Sequence, residues 1–295
     1  MECSQCSEQA VFESDFAWCR QHFTEQFEAK VERTIRDYGL LSKSEKIMVA
    51  ASGGKDSTTV MFLLKKLGYG FDVLAIDEGI HGYRDKTLGE LKEFCSLHGI
   101  NLRIVSYEES FGYSLDRYLQ NNNVTPCRVC GVMRRYLLNR HTREYDKLAT
   151  GHNMDDEAQS IFMNYMLGNI ELAARLGPMT GVVRDAKFTV RVKPLYFCTE
   201  REVAAYAFLQ NFPVSFIECP NAEQGFRSKV RDSLNELERK IPGTKKRLVE
   251  NFVQRLPSLK AGAGNTAMGH CMLCGEPSHN EKCKACEIRT VYGVA

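Results

Sequence analysis

The hexapeptide Ser52–Ser57 (SGGKDS) stands directly between a predicted buried strand, Lys46–Ala51, and a predicted helix, Ser57–Leu67. Two adjacent glycines allow the backbone to turn tightly and to bring its N–H groups against an anion. The helix N-terminus adds a partial positive charge, Lys55 adds a full one, and the serine hydroxyls can donate to phosphate oxygens. The spacing differs from that of a Walker loop. The segment therefore predicts a phosphate-binding turn rather than a glycine turn that only caps a helix.

Further strand and helix patterns alternate along the chain. The predicted strands are Phe71–Ile76, Leu102–Ser106 and Lys147–Thr150, and the predicted helices are Phe23–Tyr38, Arg84–His98, Asp155–Leu167, Thr199–Gln210 and Gly243–Arg255. Strands separated by helices of this length indicate right-handed crossovers and a mainly parallel sheet covered on both faces. The predicted fold class is therefore α/β, with ligands bound beyond the carboxyl ends of the strands.

Twelve cysteines stand out, because ten of them fall into a few tight groups. Paired C-x-x-C spacing in a chain without a secretory signal indicates metal or redox chemistry rather than a disulfide framework. Each end of the chain carries one complete tetrahedral zinc set, Cys3, Cys6, Cys19 and His22 at the N-terminus and Cys271, Cys274, Cys283 and Cys286 at the C-terminus. Four ligands leave no open position, so both zinc sites are predicted to be structural.

Three units follow from this layout. They are an N-terminal zinc finger (residues 1–25), a catalytic domain (26–260) and a C-terminal zinc finger (261–295), which begins with a predicted flexible linker, Ala261–Asn265. The N-terminus does not resemble a secretory signal, and no apolar run is long enough to cross a bilayer. A cytoplasmic protein is expected.

A central trio of cysteines has more than one interpretation. Cys127 and Cys130 precede a basic helix, and Cys219 follows much later in a Cys-Pro pair. A bare C-x-x-C is typical either of a redox pair or of half a zinc site. The net charge of +2 does not indicate a nucleic-acid partner by itself, although Arg134 and Arg135 belong to a cluster of basic residues directly after Cys130.

Taken together, these motifs resemble those of a known family. SGGKDS, the segment Gly151–Ala158 (GHNMDDEA), PCRVC and the distal Cys-Pro resemble the TtuA/NcsA group of tRNA 2-thiouridine synthetases, which are PP-loop ATP pyrophosphatases. The two terminal zinc sets match this group as well. The resemblance implies nucleotide contacts, with Mg²⁺, from Ala51, Ser52, Gly53, Gly54, Lys55, Asp56, Ser57, Ile80, Gly151 and Asp156. It also implies a [4Fe–4S] cluster on Cys127, Cys130 and Cys219.

The resemblance implies an enzyme that adenylates the C2 oxygen of a tRNA uridine and then replaces that oxygen with sulfur. Its catalytic residues would be Lys55, Asp56, Asp156 and the three central cysteines. The implied sulfur donor is a ubiquitin-like thiocarboxylated carrier protein or free sulfide, and relatives indicate a homodimer. Where the group is expected to carry a lysine after Cys130, only arginines stand here, and these position their charge differently.

Two alternative functions and the target position remain open at this level. A cluster-free thiolase would use one central cysteine as a persulfide carrier and another to resolve the intermediate. A non-catalytic zinc-finger RNA-binding protein would retain the motifs without activity. The target, uridine 34 or uridine 54, is not encoded in any motif of the chain.

Overall fold

The computed structural model describes residues 1–181, 187–222, 225–262 and 269–290. A short hairpin opens the chain, β1 (Phe12–Glu13) and β2 (Ala17–Trp18), followed by helix α1 (Arg20–Asp37). The next elements alternate: β3 (Ile47–Ala50), α2 (Lys55–Lys66), β4 (Phe71–Asp77), α3 (Arg84–Leu97) and β5 (Leu102–Ser106). Then come α4 (Tyr107–Phe111), α5 (Leu115–Gln120), α6 (Pro126–His141), β6 (Lys147–Thr150), α7 (Met154–Met166) and α8 (Ile170–Ala173).

The remaining elements complete the sheet and the C-terminal part. They are β7 (Val190–Val192), α9 (Glu200–Leu209), α10 (Phe226–Lys240), α11 (Thr244–Gly262), the hairpin strands β8 (Gly269–His270) and β9 (Pro277–Ser278), and α12 (Lys284–Thr290). The predicted linker Ala261–Asn265 is wrong at its start. Ala261 and Gly262 continue α11, whose Leu256 and Leu259 pack in a hydrophobic cluster, and such packing outweighs the low helix propensity of glycine. The rest of the predicted linker lies outside the described residues.

The central sheet has five strands in the order β5-β4-β3-β6-β7, and every neighbouring pair is parallel. The prediction of a parallel α/β sheet is therefore confirmed. Side chains alternate between its two faces, as strand geometry requires. Val49, Val73 and Ala149 pack against α1, α2, α3 and α9, whereas Met48, Leu74 and Leu148 pack against α4, α5 and α6. Among the described helices, none has the length and hydropathy that a bilayer crossing requires.

Candidate active site

The predicted phosphate-binding turn connects β3 to α2 at the carboxyl edge of the sheet. Gly53 has a φ of +81°, and a Cβ atom there would stand 2.1 Å from the Thr87 carbonyl oxygen, so both the conformation and the space require glycine. The Ser57 hydroxyl accepts the Ser52 N–H at 3.2 Å and donates to the Gly54 carbonyl at 3.1 Å. The turn is therefore held in shape before any ligand binds.

A buried arginine, which the sequence analysis did not single out, supports this turn from behind. The Arg84 guanidinium donates to the Ser52 carbonyl at 2.6 Å and to the Ile76 carbonyl at 2.5 Å. Its Nε atom lies 2.7 Å from the Glu78 carboxylate in a buried ion pair. One side chain thus links the ends of β3 and β4. No local pattern marks this role, because Arg84 occupies an ordinary position at the start of a helix.

Two charged residues of the turn interact with the rest of the site. The Lys55 ammonium lies 3.1 Å from Asp56 and 3.2 Å from Glu200. Burial opposes the charged form of Lys55, but these two carboxylates raise its pKa, so that it stays protonated at neutral pH. The Asn153 amide donates to the other Asp56 oxygen at 2.9 Å. Lys55 is therefore a fixed positive charge at the position where a phosphate would meet the turn.

The second predicted nucleotide motif begins at the end of β6 and touches the turn. A Cβ atom at Gly151 would stand 2.7 Å from the Ser57 backbone nitrogen, so this close approach also requires glycine. Asn153 and Asp156 form a reciprocal capping box at the start of α7. The Asp156 carboxylate also pairs with Arg227 at 2.9 Å. Ile80, the expected adenine contact, is buried and packs in the cluster beneath α6.

A cavity of about 1480 Å³ opens in front of the turn. Its walls include Ser52, Gly53, Gly54, Lys55 and Asp56 of the turn together with Cys219. Residues Phe12–Asp15 of the N-terminal hairpin form part of its rim. The cavity therefore connects the predicted phosphate site with one of the three central cysteines.

The three central cysteines come from two distant parts of the chain. Cys127 and Cys130 lie in the first turns of α6, and the Cys127 thiol donates to the carbonyl of Asn221, two residues after Cys219, at 3.4 Å. Cys130 and Cys219 pack against the same hydrophobic cluster. Burial, with smaller contributions from Glu78 and Cys219, raises the pKa of Cys130 to about 11, although Arg134 and a hydrogen bond from Tyr107 act in the opposite direction. The three thiols form no disulfide, and their chemistry fits a soft metal centre.

Both predicted terminal ligand sets are also brought together. The Nδ1 atom of His22 lies 3.4 Å from Cys3, 3.5 Å from Cys6 and 3.4 Å from Cys19, and the sulfur atoms of Cys6 and Cys19 are 3.8 Å apart. At the other end, Cys274 and Cys283 are 3.7 Å apart. Tetrahedral zinc with Zn–S bonds of about 2.3 Å separates its sulfur ligands by about 3.8 Å. Each set of four could therefore hold one metal ion.

Comparison with known proteins agrees with this geometry. The family model of the PP-loop domain matches residues 23–238. The tRNA-5-methyluridine(54) 2-sulfurtransferase of Pyrococcus horikoshii is 38% identical over 98% of the chain and 93% of its own length. The cytoplasmic tRNA 2-thiolation protein 1 of Drosophila willistoni is 36% identical over 97% of the chain and 86% of its own length.

A solved structure matches as well. The U34-tRNA thiolase NcsA from Methanococcus maripaludis, with its [4Fe–4S] cluster, superimposes with a TM-score of 0.83 at 32% identity, over 100% of the chain and 97% of that protein. The matching family model shows that the chain belongs to the PP-loop family, and the phosphate-binding turn and the parallel sheet agree with that membership. Within that family it groups with the NcsA- and TtuA-type tRNA 2-thiolation proteins, which it matches over nearly its whole length.

Proposed function

We propose that this protein is an ATP-dependent tRNA uridine 2-thiolase. The single observation that carries the proposal is that one cavity is lined both by the phosphate-binding turn and by Cys219, whose segment contacts Cys127. An adenylating site and a sulfur-handling site therefore share one space. Relatives named for tRNA thiolation support the choice of substrate.

The first step would be adenylation of the uridine. The C2 oxygen attacks the α-phosphorus of ATP, the bond between the α-phosphorus and the bridging oxygen to the β-phosphate breaks, and pyrophosphate leaves. The backbone N–H groups of Ser52–Gly54, the N-terminus of α2 and the Lys55 ammonium would stabilise the charge that develops on the pyrophosphate. Mg²⁺ would neutralise the phosphates, with Asp56 and Asp156 as the candidate carboxylates near it.

The second step would be replacement of the oxygen by sulfur. Sulfide attacks C2, the C2–O bond breaks, and the original uridine oxygen leaves within the phosphate of AMP. Cys127, Cys130 and Cys219 would hold a [4Fe–4S] cluster, which when bound offers one iron without a protein ligand as a place for sulfide. Arg134, one helical turn after Cys130, carries a permanent positive charge beside this site and would stabilise the adenylated uridine.

The remaining assignments concern metals, partners and location. The two terminal sets, Cys3, Cys6, Cys19 and His22 and Cys271, Cys274, Cys283 and Cys286, would each bind one structural zinc ion. A thiocarboxylated carrier protein or free sulfide would supply sulfur to a cytoplasmic homodimer. Relatives named for uridine 34 and for uridine 54 are both similar to the chain, and we expect its target to be one of these two positions.

The test is anaerobic purification followed by measurement of iron, acid-labile sulfide and 2-thiouridine in tRNA, with mass spectrometry read at positions 34 and 54. We expect Cys127→Ala to abolish both the cluster and thiolation while ATP binding persists. Cys95→Ala is the matched control, because Cys95 is buried in the opposite core cluster and both readouts should survive its loss. Thiouridine formed without iron would instead establish the persulfide route. Absence of tRNA-dependent pyrophosphate release would overturn the proposal that the protein is an enzyme.

A further inference from the structure

Arg191 occupies an unusual position on the edge strand β7. Its neighbours Val190 and Val192 pack towards the core cluster of α1 and α9. Arg191 pairs in register with Leu148, whose side chain belongs to the opposite cluster, beneath α6. Because side chains alternate along a strand, the half-buried Arg191 side chain lies on the α6 face of the sheet.

Helix α6 brings two more arginines to the same face. Arg134 and Arg135 are exposed and lie about one helical turn after Cys130 and Gly131. The Arg135 guanidinium is 3.4 Å from where a Cβ atom of Gly131 would stand, so it folds back along the helix towards the cysteines.

The segment that leads into β7 is fastened to the far end of α6. The Asn139 amide donates to the Lys187 carbonyl at 3.1 Å, and the Thr142 hydroxyl donates to Thr189 at 2.9 Å. These bonds fix the position of β7, and hence of Arg191, relative to the helix that carries Arg134 and Arg135.

The arginines have few counter-charges. Arg134 lies 3.7 Å from Glu78, but neither Arg135 nor Arg191 forms an ion pair with any carboxylate within residues 1–181, 187–222, 225–262 and 269–290. Burial, and then the charges of Arg135 and Arg134, lower the pKa of Arg191 to about 10. At neutral pH all three arginines remain charged and repel one another. A bound anion would offset this electrostatic repulsion.

His152, which follows the neighbouring strand β6, lies in the same positive electrostatic potential. Its Nδ1 atom lies 2.8 Å from the Thr150 hydroxyl. Its side chain is exposed to solvent. The surrounding protein, and then the charges of Lys193, Arg227, Arg134 and Arg191, lower the pKa of His152 to about 3. The surface beside His152 is therefore positively charged even though His152 is neutral at neutral pH.

We propose that Arg135 and Arg191, next to Arg134, form a receptor for a backbone phosphate of the RNA substrate beside the target uridine. The planar guanidinium fork matches phosphate oxygens and can bind them in bidentate fashion. The receptor rests on the proposed function, since Arg135 stands on α6, the helix that carries Cys127 and Cys130, about one helical turn after Gly131.

The ATP phosphates are a less suitable occupant. The turn that would bind them follows β3, which is two strands away from β7 and therefore about 10 Å distant. The turn also continues into α2, which packs on the opposite face of the sheet from α6. A phosphate held by the turn would thus lie away from Arg191.

The experiment measures binding of unmodified tRNA to the full-length protein as a function of salt, for the wild type, Arg135→Gln and Arg191→Gln. Each substitution should weaken binding about tenfold at moderate salt and reduce the slope of log affinity against log salt by about one, since one phosphate contact is lost. Arg191→Lys should restore the slope, and the affinity in part. Arg36→Gln is the matched control, because Arg36 is an exposed arginine of α1 paired only with Asp37 among the described residues.

Binding of ATP alone, measured in parallel, distinguishes the two sources of phosphate. Unchanged ATP affinity together with weaker tRNA binding supports the receptor, and the reverse pattern assigns the arginines to the nucleotide and overturns it. Both variants should unfold at or above the wild-type temperature, because removal of one of three like charges relieves repulsion. Such temperatures would exclude damage to the fold. If the wild type thiolates tRNA while Arg191→Gln binds it with an unchanged slope, only the receptor is wrong. If the wild type neither binds nor thiolates tRNA, the proposed function itself fails.

Discussion

The two terminal cysteine modules have similar donor sets but different attachments to the core. Cys271, Cys283 and Cys286 belong to the same hydrophobic cluster as Val129, Met133 and Tyr136 of α6. The N-terminal module instead packs Phe12 and Trp18 against the cluster of α1 and α9, and its Cys6 is exposed. Its residues Phe12–Asp15 also line the cavity. The C-terminal module therefore supports the helix that carries Cys127 and Cys130, whereas the N-terminal module shapes the entrance to the cavity.

A buried carboxylate strengthens the C-terminal attachment. Glu276 accepts a hydrogen bond from Asn139 at 2.8 Å and pairs with Arg143, both on or next to the C-terminal end of α6. The N-terminal module is joined to α9 more loosely. Arg201 donates to the Glu13 carbonyl at 3.3 Å, and its guanidinium stands 5.4 Å from the centre of the Phe12 ring. Similar chemistry at the two ends thus serves different parts of the site.

The largest contrast should come from removing one metal ligand at each end. If the proposed C-terminal zinc is bound, Cys283→Ser should release it and lower the free energy of unfolding by several kcal/mol, at least about 3, because structural metal binding contributes directly to folding. Cys6→Ser should release the proposed N-terminal zinc with a smaller loss of stability. Metal content and thermal unfolding of the two variants provide the measurement. Equal losses of stability would refute the different roles of the modules.

A smaller effect is expected from Glu276→Gln, which keeps the size of the side chain but removes its charge. We expect a loss of about 1–3 kcal/mol, because the buried charge-assisted hydrogen bonds to Asn139 and Arg143 are weakened. Denaturant unfolding measures it. Glu287→Gln on α12 is the control, since its exposed pair with Lys284 should contribute little. A Glu276→Gln variant as stable as the control would contradict the proposed support of α6.

The N-terminal attachment can be weakened through Phe12, whose ring centre lies 4.5 Å from that of Phe23. Phe12→Ala should cost about 1–2 kcal/mol, less than a fully buried phenylalanine because the ring is only half-buried. The exposed Phe16 of the same module provides the matched substitution, Phe16→Ala, with a smaller expected loss. The measurement is thermal unfolding together with ATP affinity. A larger loss from Phe16 than from Phe12 would disprove the packing explanation.

The smallest change should follow Arg201→Gln. This substitution removes an exposed cation–π contact and one hydrogen bond to a backbone carbonyl, which together stabilise by less than about 1 kcal/mol. Stability should therefore stay almost constant, whereas the position of residues 12–15 at the cavity rim should relax. Hydrogen exchange of the hairpin amides detects that change, and unaltered exchange would show that Arg201 does not fix the rim.

The local parts of this molecule were predictable from the sequence by itself. The Ser52–Ser57 turn, the parallel sheet and the two ligand sets follow from glycine placement, hydrophobic periodicity and cysteine spacing, which act over a few residues. Some helix boundaries shifted by only a few positions, as with Arg20–Asp37 in place of Phe23–Tyr38, whereas α11 continues seven residues beyond the predicted Arg255 to Gly262. Strand β7 escaped prediction because three residues are too short for a periodic pattern.

Only the tertiary structure decided which distant residues meet. Arg84 and Glu78 support the turn through contacts with the ends of two strands, and Arg191 lies on the α6 face of the sheet because β7 pairs with β6. Docking of the C-terminal module on α6 depends in the same way on how buried surfaces fit. Such contacts join residues far apart in the chain, and their geometry is set by packing of whole elements rather than by any local spacing.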